Sequence, residues 1–402
     1  MSIDFEKIRQ RCDADTRMSK TIVDDFLVYY AAAQYRIDKE FDLKWKKYKN
    51  ITKDFTKQHE GFIKAQYIAY RIFQKGGLIH KILHHSAMDR FSGEEIRYLE
   101  QLANMNWQFT FSIIIDTPAE DFFLMEDILS GEVFLLYSKG TSEIMKSQQT
   151  NLWLNLLVDN GDCKVSYGPI CAFRGFIEDD VFFLATELDP EIEIWQEVQE
   201  NINKAPLPYV LMLSKANIPL TAHEDDLLLQ HVSEYDASLF NPLKVGKEFK
   251  KEYSSGVYRF LLKEYELHPH FAQAYYDENL KIMLLTSLTA RGYEALSNAM
   301  KPYSSEIDSE AALVVSLLML NYVKALKGSE VVLNEYEKLF HVEPNEQDSK
   351  AMEVLNKAMS EIIPSINAGK KPDLKAIAKK YSLSEEELEG IVKELNLKKR
   401  RH

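Results

Sequence analysis

The 402-residue chain is short of the residues that crosslink or interrupt a fold. Its three cysteines, Cys12, Cys163 and Cys171, are odd in number and form no CxxC. That argues against a disulfide framework and fits a reducing compartment. Glycine (15) and proline (12) are scarce, which disfavours a chain made only of short strands and turns. There is no long apolar run. The longest, Ala311 to Val323, covers about 13 residues and is interrupted by Ser316 and Asn321. A bilayer span needs roughly 20 residues, so this run reads as a buried helix. The opening stretch MSIDFEKIRQRCDAD has no apolar core of the kind a signal peptide carries. A cytoplasmic location with no membrane partner is expected.

Catalytic signatures are also missing. The sequence has no GxSxG, so no nucleophile elbow is visible, and no GxxxxGK[ST] or GxGxxG, so no phosphate loop is visible. No cofactor is expected. Positive charge is in deficit, with 49 Lys and Arg against 62 Asp and Glu and a net charge of −13. An acidic chain is a poor general binder of phosphate backbones. The one local exception is residues 370–402, where ten Lys and Arg stand against six Asp and Glu.

Apolar material is plentiful. Hydrophobic residues make up 46% of the chain, with 21 Phe and 21 Tyr, enough for the cores of two or three domains. The pattern predicts an α+β fold in five parts. Residues 1–106 read as helical, with Ile22, Phe26, Tyr29, Tyr30, Ala33 and Ile37 recurring at three and four. Gly76-Gly77 supplies a stop, and Ser92-Gly93-Glu94-Glu95 a capping box. Residues 107–188 switch to short strands at 109–116, 121–127, 132–138, 152–159, 164–173 and 181–188. Turn residues between them, above all Asn160-Gly161, predict a small antiparallel barrel. Residues 189–302 read as a mixed α+β region, mostly helical to 230, with a hairpin at 271–288 and a helix at 289–300. Residues 303–363 read as helical, with helices at 308–327, 329–340 and 347–361. Residues 364–372 read as a linker, and 373–402 as a two-helix hairpin with a basic tail.

Several residues could carry chemistry. His80 and His84 would lie one turn apart on a helix, a spacing that lets two imidazoles reach one metal, with His59-Glu60 the nearest source of a further ligand. The motif is not HExxH, and the plain alternative is cations at a helix end. His268-Pro269-His270 and His223-Glu224-Asp225-Asp226 are weaker candidates. The second helix of the C-terminal hairpin begins Glu385-Glu386-Glu387, with Glu389 following, and these would repel phosphate. Nucleic-acid contact, if made, falls to Lys398, Lys399, Arg400 and Arg401. The aromatic strand residues Phe109, Phe111, Phe122, Phe123 and Phe134 read as core, because only Lys139 and Lys146 accompany them against eight acidic residues in 109–160.

Two stretches carry resemblances. FTFSIIIDTPAEDFFLMEDILSGEVFLLYSKGTSE, with its Ile128-Leu129-Ser130-Gly131-Glu132 turn, resembles a β-barrel-like module of uncharacterised bacterial cytoplasmic proteins. Some of those end in a zinc-binding SEC-C tail. That tail is absent here, so the resemblance implies a fold and a bacterial origin but no metal and no activity. LKAIAKKYSLSEEELEGIVKEL resembles a helix-turn-helix, with Ala376, Ile377 and Ala378 on its first helix and Leu388, Ile391 and Val392 facing inward on its second. The leading expectation is a non-enzymatic binding or scaffold protein, with a protein as partner. The alternatives are a nucleic-acid-associated regulator acting through the C-terminal hairpin and a metal-dependent hydrolase with a site assembled across domains.

Overall fold

The computed structural model describes residues 3–399, apart from 54, 148–149, 151, 217–220, 223–224, 232, 309, 330, 332–333, 341–345 and 368–369. The fold is α+β, as the patterning predicts. The chain forms two compact units, one up to Tyr336 and one from Glu337. Among the described residues no helix is long and apolar enough to cross a membrane.

Helix α1 (Phe5–Ser19) opens on Asp4, whose carboxylate accepts the Lys7 N–H at 3.1 Å. It continues without a break into a π-helical segment, Lys20–Ala31, at whose end the Ala32 N–H reaches back to the Leu27 carbonyl. The wider turn of the π-helix resets the buried stripe to Ile22, Val23, Phe26, Leu27 and Ala31. Tyr29, Tyr30 and Ala33, which an α-helical period sets on the same face, are exposed. Helices α2 (Ile37–Trp45), α3 (Lys57–Phe73) and α4 (Leu78–Ile82) follow, with Gly76 at φ +67° in the turn between the last two. Helix α5 (Gly93–Asn104) starts on the expected capping box. Ser92 N–H donates to the Glu95 carboxylate at 2.7 Å, and Glu95 N–H donates to the Ser92 hydroxyl at 3.2 Å.

Five strands then close into a barrel: β1 (Gln108–Ala119), β2 (Phe122–Asp127), β3 (Val133–Tyr137), β4 (Leu152–Asp159) and β5 (Lys164–Phe173), in the order β1-β2-β3-β5-β4. Helix α6 (Lys139–Ser147) joins β3 to β4. The barrel is not wholly antiparallel, because β3 and β5 pair in parallel through Leu136↔Lys164 and Tyr137↔Val165. The expected sixth strand, 181–188, is instead part of helix α7 (Glu178–Leu188). Glu178, Asp179 and Asp180 fill its first turn, and the Asp180 carboxylate accepts the Ile177 N–H at 3.0 Å. An apolar run such as VFFLA fits a buried helix as well as a buried strand, and the acidic first turn decides for the helix.

Alternation divides most of the barrel residues between two cores, while Phe122 and Tyr137 pack with Cys12 and Cys163 in a smaller one. Phe123, Met125, Phe134, Leu136, Trp153 and Leu157 form one cluster inside. Phe109, Phe111, Leu152, Leu154, Leu156, Cys171 and Phe173 belong to the large core built by the helices, with Phe26, Ile63, Ile72, Leu99 and Tyr322. The expected boundary at 106 therefore marks a change of element type, the one at 188 falls only at the end of helix α7, and one core runs across both.

After α8 (Trp195–Lys204) come β6 (Leu228–His231), β7 (Ser233–Asp236), β8 (Phe249–Ser254), β9 (Val257–Leu262), β10 (Gln273–Asp277) and β11 (Ile282–Thr286). The last five of these strands form an antiparallel sheet ordered β8-β9-β10-β11-β7. The hairpin expected at 271–288 is β10–β11, turned by the Asp277 carboxylate, which accepts the N–H groups of Asn279 and Leu280. Helix α9 (Ala290–Met300) covers this sheet with Tyr293, Leu296 and Met300 against Phe260, Met283 and Leu285. The region to 230, expected to be mostly helical, ends in strand β6. The helix expected at 308–327 is divided. Its Val-rich start is strand β12 (Leu313–Ser316), paired with β6, and helix α10 (Leu317–Lys327) begins where Ser316 caps Met319 N–H at 3.1 Å. The helix expected at 329–340 is reduced, among the described residues, to Glu337–Phe340.

In the second unit, α11 (Glu346–Asn367) contains Pro364, so the expected linker at 364 begins inside a helix. Helices α12 (Leu374–Tyr381) and α13 (Glu385–Lys399) flank a turn with Ser382 at φ +56°. Ala358, Ile362, Ile377, Ala378 and Leu388 make their core.

One buried carboxylate ties α7 to the β12–α10 junction. Asp180 is fully buried and also accepts the Ser316 N–H at 2.7 Å. Burial pushes its carboxyl up to about 7. The native state therefore holds a proton there that the unfolded chain has lost, between the ordinary carboxylate range and pH 7. That contribution to stability is present at low pH and disappears as pH rises through about 7. Asp180→Asn, compared with the parent chain by thermal melting from pH 5 to 8, is expected to flatten the decline in Tm over that interval. An unchanged slope would show that Asp180 does not titrate there.

Candidate functional site: a cleft between the N-terminal helices and the barrel

The described structure contains a cavity of about 430 Å³ where α1, the start of the π segment, α5 and the β3–β5 edge of the barrel meet. That volume lies within the ordinary range of small-molecule sites. One wall is aromatic. Phe73 and Trp107 stack with ring centroids 4.2 Å apart, and Tyr167 meets Phe73 edge-on at 4.8 Å. The Trp107 ring is fixed by donation from its Nε1 to the Leu102 carbonyl at 2.9 Å. Tyr167 reaches the cleft because Gly168, at φ +81°, lets β5 run close to α3. A Cβ there would stand 2.8 Å from Gln66 Oε1 and 3.1 Å from the Ala69 Cβ.

Three carboxylates also line the cleft. Asp13 accepts from Lys139 Nζ at 2.8 and 3.0 Å and from the Tyr137 hydroxyl at 2.9 Å. The Lys139 bond holds the Asp13 carboxyl below its usual value. Burial, with the bond to Asp13, pushes the Tyr137 phenol up to about 12. Asp24, delivered by the π segment, accepts the Tyr167 hydroxyl at 2.5 Å. Burial and that bond push the Tyr167 phenol far up. Asp15 is half-buried, and burial raises its carboxyl while Arg11 opposes the rise. The Asp15 backbone carbonyl accepts the Tyr98 hydroxyl at 3.1 Å.

The two basic side chains lining the cleft are already engaged. Lys139 is held by Asp13, while Arg11 pairs with Asp162 and donates to the Asn160 carbonyl at 2.9 Å. Among the described residues neither Asp15 nor Asp24 forms an ion pair. The cleft thus presents negative charge beside a flat apolar wall, in a partly desolvated setting where electrostatic attraction is stronger than in open water.

The residues singled out in the sequence lie elsewhere. Helix α4 ends at Ile82. His80 is half-buried on it, and His84 is exposed in the turn beyond, so the pair does not share one helical face. His59 Nδ1 lies 3.3 Å from the Thr56 hydroxyl at the start of α3. His85 accepts the Ala87 N–H at 3.0 Å. Among the described residues no group of three His, Cys, Asp or Glu is arranged to hold a metal. His270 Nδ1 is 2.6 Å from the Thr289 hydroxyl, at the start of α9. His223, Glu224, Arg400 and Arg401 lie outside the described residues, as do the side chains of Asp225, Asp226, Lys398 and Lys399. Asp179 and Asp180 cap backbone N–H groups in the core.

No family model matches this chain, no curated protein matches it and no solved structure matches its fold.

The Tyr167 bond links the barrel to the π segment at the cleft. Tyr167→Phe keeps the ring and deletes the hydroxyl, leaving the Asp24 carboxylate without that donor. A hydrogen bond to a charged group contributes roughly 1.5–3 kcal/mol. Urea unfolding should therefore show a loss of about 1.5–3 kcal/mol with an unchanged slope. No loss would mean that the bond has no net worth.

Proposed function

We propose that this chain is a non-enzymatic binding protein of the bacterial cytoplasm whose ligand is a small organic cation, taken up in the cleft with its apolar or aromatic body against Trp107, Phe73 and Tyr167. The observation that carries the reading is the pairing of an aromatic wall with two carboxylates, Asp15 and Asp24, that form no ion pair among the described residues. An ammonium group placed there meets opposite charge and aromatic faces together, and both contacts strengthen as water leaves. An anion would meet the same carboxylates as repulsion, which excludes it without further contacts. The exposed Glu385, Glu386 and Glu389 at the start of α13 weigh against a phosphate-facing helix in the second unit. The cleft is therefore favoured over that unit as the place where the protein meets its ligand.

Three probes with one ring system separate charge from shape: tryptamine, indole-3-acetate and 3-methylindole. Isothermal titration should show tryptamine binding, at least tenfold weaker binding of the neutral probe and none of the acid. Asp24→Asn should weaken tryptamine by tenfold or more, about 1.4 kcal/mol. Binding should also fall as pH drops through the raised Asp15 value, because the cation needs the ionised carboxylate, and Asp15→Asn should remove that dependence. Indole-3-acetate binding as well as tryptamine would overturn the cation reading, and failure of all three probes would overturn the cleft as a small-molecule site.

A further inference from the structure

At the end of the cleft, two cysteines far apart in the chain are in contact. Cys12 lies on α1, and Cys163 is the last residue of the β4–β5 turn. Their sulfurs are 3.7 Å apart, and both residues are buried. A disulfide bond is about 2.05 Å long, so a closing movement of roughly 1.7 Å would join them.

The contact is held from several sides. Asn160 Nδ2 donates to Cys12 Sγ at 3.4 Å, while Asn160 Oδ1 accepts the backbone N–H of Cys163 at 3.0 Å and of Asp162 at 3.1 Å. One side chain thus positions both cysteines. Arg11, the neighbour of Cys12, pairs with Asp162 and donates to the Asn160 carbonyl at 2.9 Å, fastening the turn to α1. We propose that Cys12 and Cys163 are a reversible oxidation site, a thiol pair that a hydroperoxide entering through the cleft converts to a disulfide tying α1 to the barrel.

The two thiols have different roles. Either sulfur of the pair can donate to the other, but Asn160 donates to Cys12 alone; a thiolate on Cys12 accepts both bonds, and these hold its thiol below the usual value against the effect of burial. The Cys163 thiol is pushed up by the same contact and by burial. Cys12 also lines the cleft, which gives a small polar oxidant access to it. The Cys12 thiolate is therefore the nucleophile. Its sulfur attacks one peroxide oxygen, the O–O bond breaks, and the departing alkoxide takes a proton, leaving a sulfenic acid on Cys12. The Cys163 sulfur then attacks the Cys12 sulfur, the S–O bond breaks, and water leaves with the Cys163 proton. In sum, two thiols and ROOH give one disulfide, ROH and water. The sulfur pair loses two electrons and the peroxide gains two. A dithiol reductant reverses the step by exchange.

Cys171 is an internal control. It is fully buried in the core shared by the barrel and the helices, and burial pushes its thiol up. It is expected to stay reduced.

The test uses the full chain treated with tert-butyl hydroperoxide, then alkylation of remaining thiols in denaturant and peptide mass mapping without reductant. The proposal predicts one alkylated cysteine, Cys171, and a crosslinked peptide pair containing Cys12 and Cys163 that dithiothreitol separates. In Cys163→Ser, dimedone should label Cys12. In Cys12→Ser, both remaining thiols should survive the oxidant. Three alkylatable thiols in the parent chain, under conditions that fully oxidise free dithiothreitol, would overturn the proposal. So would a crosslink involving Cys171, and dimedone labelling of Cys163 in Cys12→Ser would reverse the assigned roles. The readout is covalent and independent of any cleft ligand, so the tryptamine titrations and this experiment can fail separately.

Discussion

Strands β1, β4 and β5 turn their outer faces into the helical core, and the rest of the first unit is arranged around that burial. Phe111, Leu154 and Phe173 are completely buried on the outside of a closed barrel, a surface that a free-standing barrel would expose to water. Burying a large apolar side chain contributes roughly 1.5–3 kcal/mol, so a row of them is more than an isolated barrel of five short strands could leave exposed. The helices bring Phe26, Ile63 and Ile72 to the same core. Each half completes the other, which is why the boundary at 106 divides element types without dividing the core.

The cleft lies where this shared packing runs out. Phe73, Trp107 and Tyr167 continue the apolar interface to its edge, and α1 and the π segment cross that edge carrying Asp13, Asp15 and Asp24. A π-helix is costly and rare, and such segments recur at functional sites. Here it follows α1 directly and delivers Asp24 to Tyr167, while Phe26 and Leu27 remain in the core. The thiol pair closes the other end, where the Asn160 turn meets α1.

Much of the fold was legible in the sequence, because the signals involved are local. The Ser92–Glu95 capping box, the Asn160-Gly161 turn and the alternation through Phe109, Phe111, Trp153 and Leu157 depend on neighbours a few residues away. The misreadings arise where an apolar run lacks a period. VFFLATEL and AALVVS contain too few polar residues to separate helix from strand, and capping by Asp180 and Ser316 settled each in turn. The cleft was not legible. Asp15, Asp24, Tyr98, Trp107 and Tyr167 come from separate segments with no shared spacing, and acidic residues are too common in this chain for any one to attract notice. Cys12 and Cys163 form no CxxC, and nothing in their spacing brings them together, because they are 151 residues apart in the chain. The paired histidines drew attention by their spacing alone, and helix α4 ends before that spacing can operate.

The central claim is that the barrel and helices α3 and α5 share one core and unfold as one body. Native-state hydrogen exchange tests it most directly, by following the amides of β1 and β4 together with those of α3 in increasing denaturant. The account predicts that the slowest amides in the two groups merge into a single unfolding isotherm, with one opening free energy and one slope. Barrel amides that stay protected after the α3 amides have exchanged would contradict it, because they would show a barrel that stands without its helical cover.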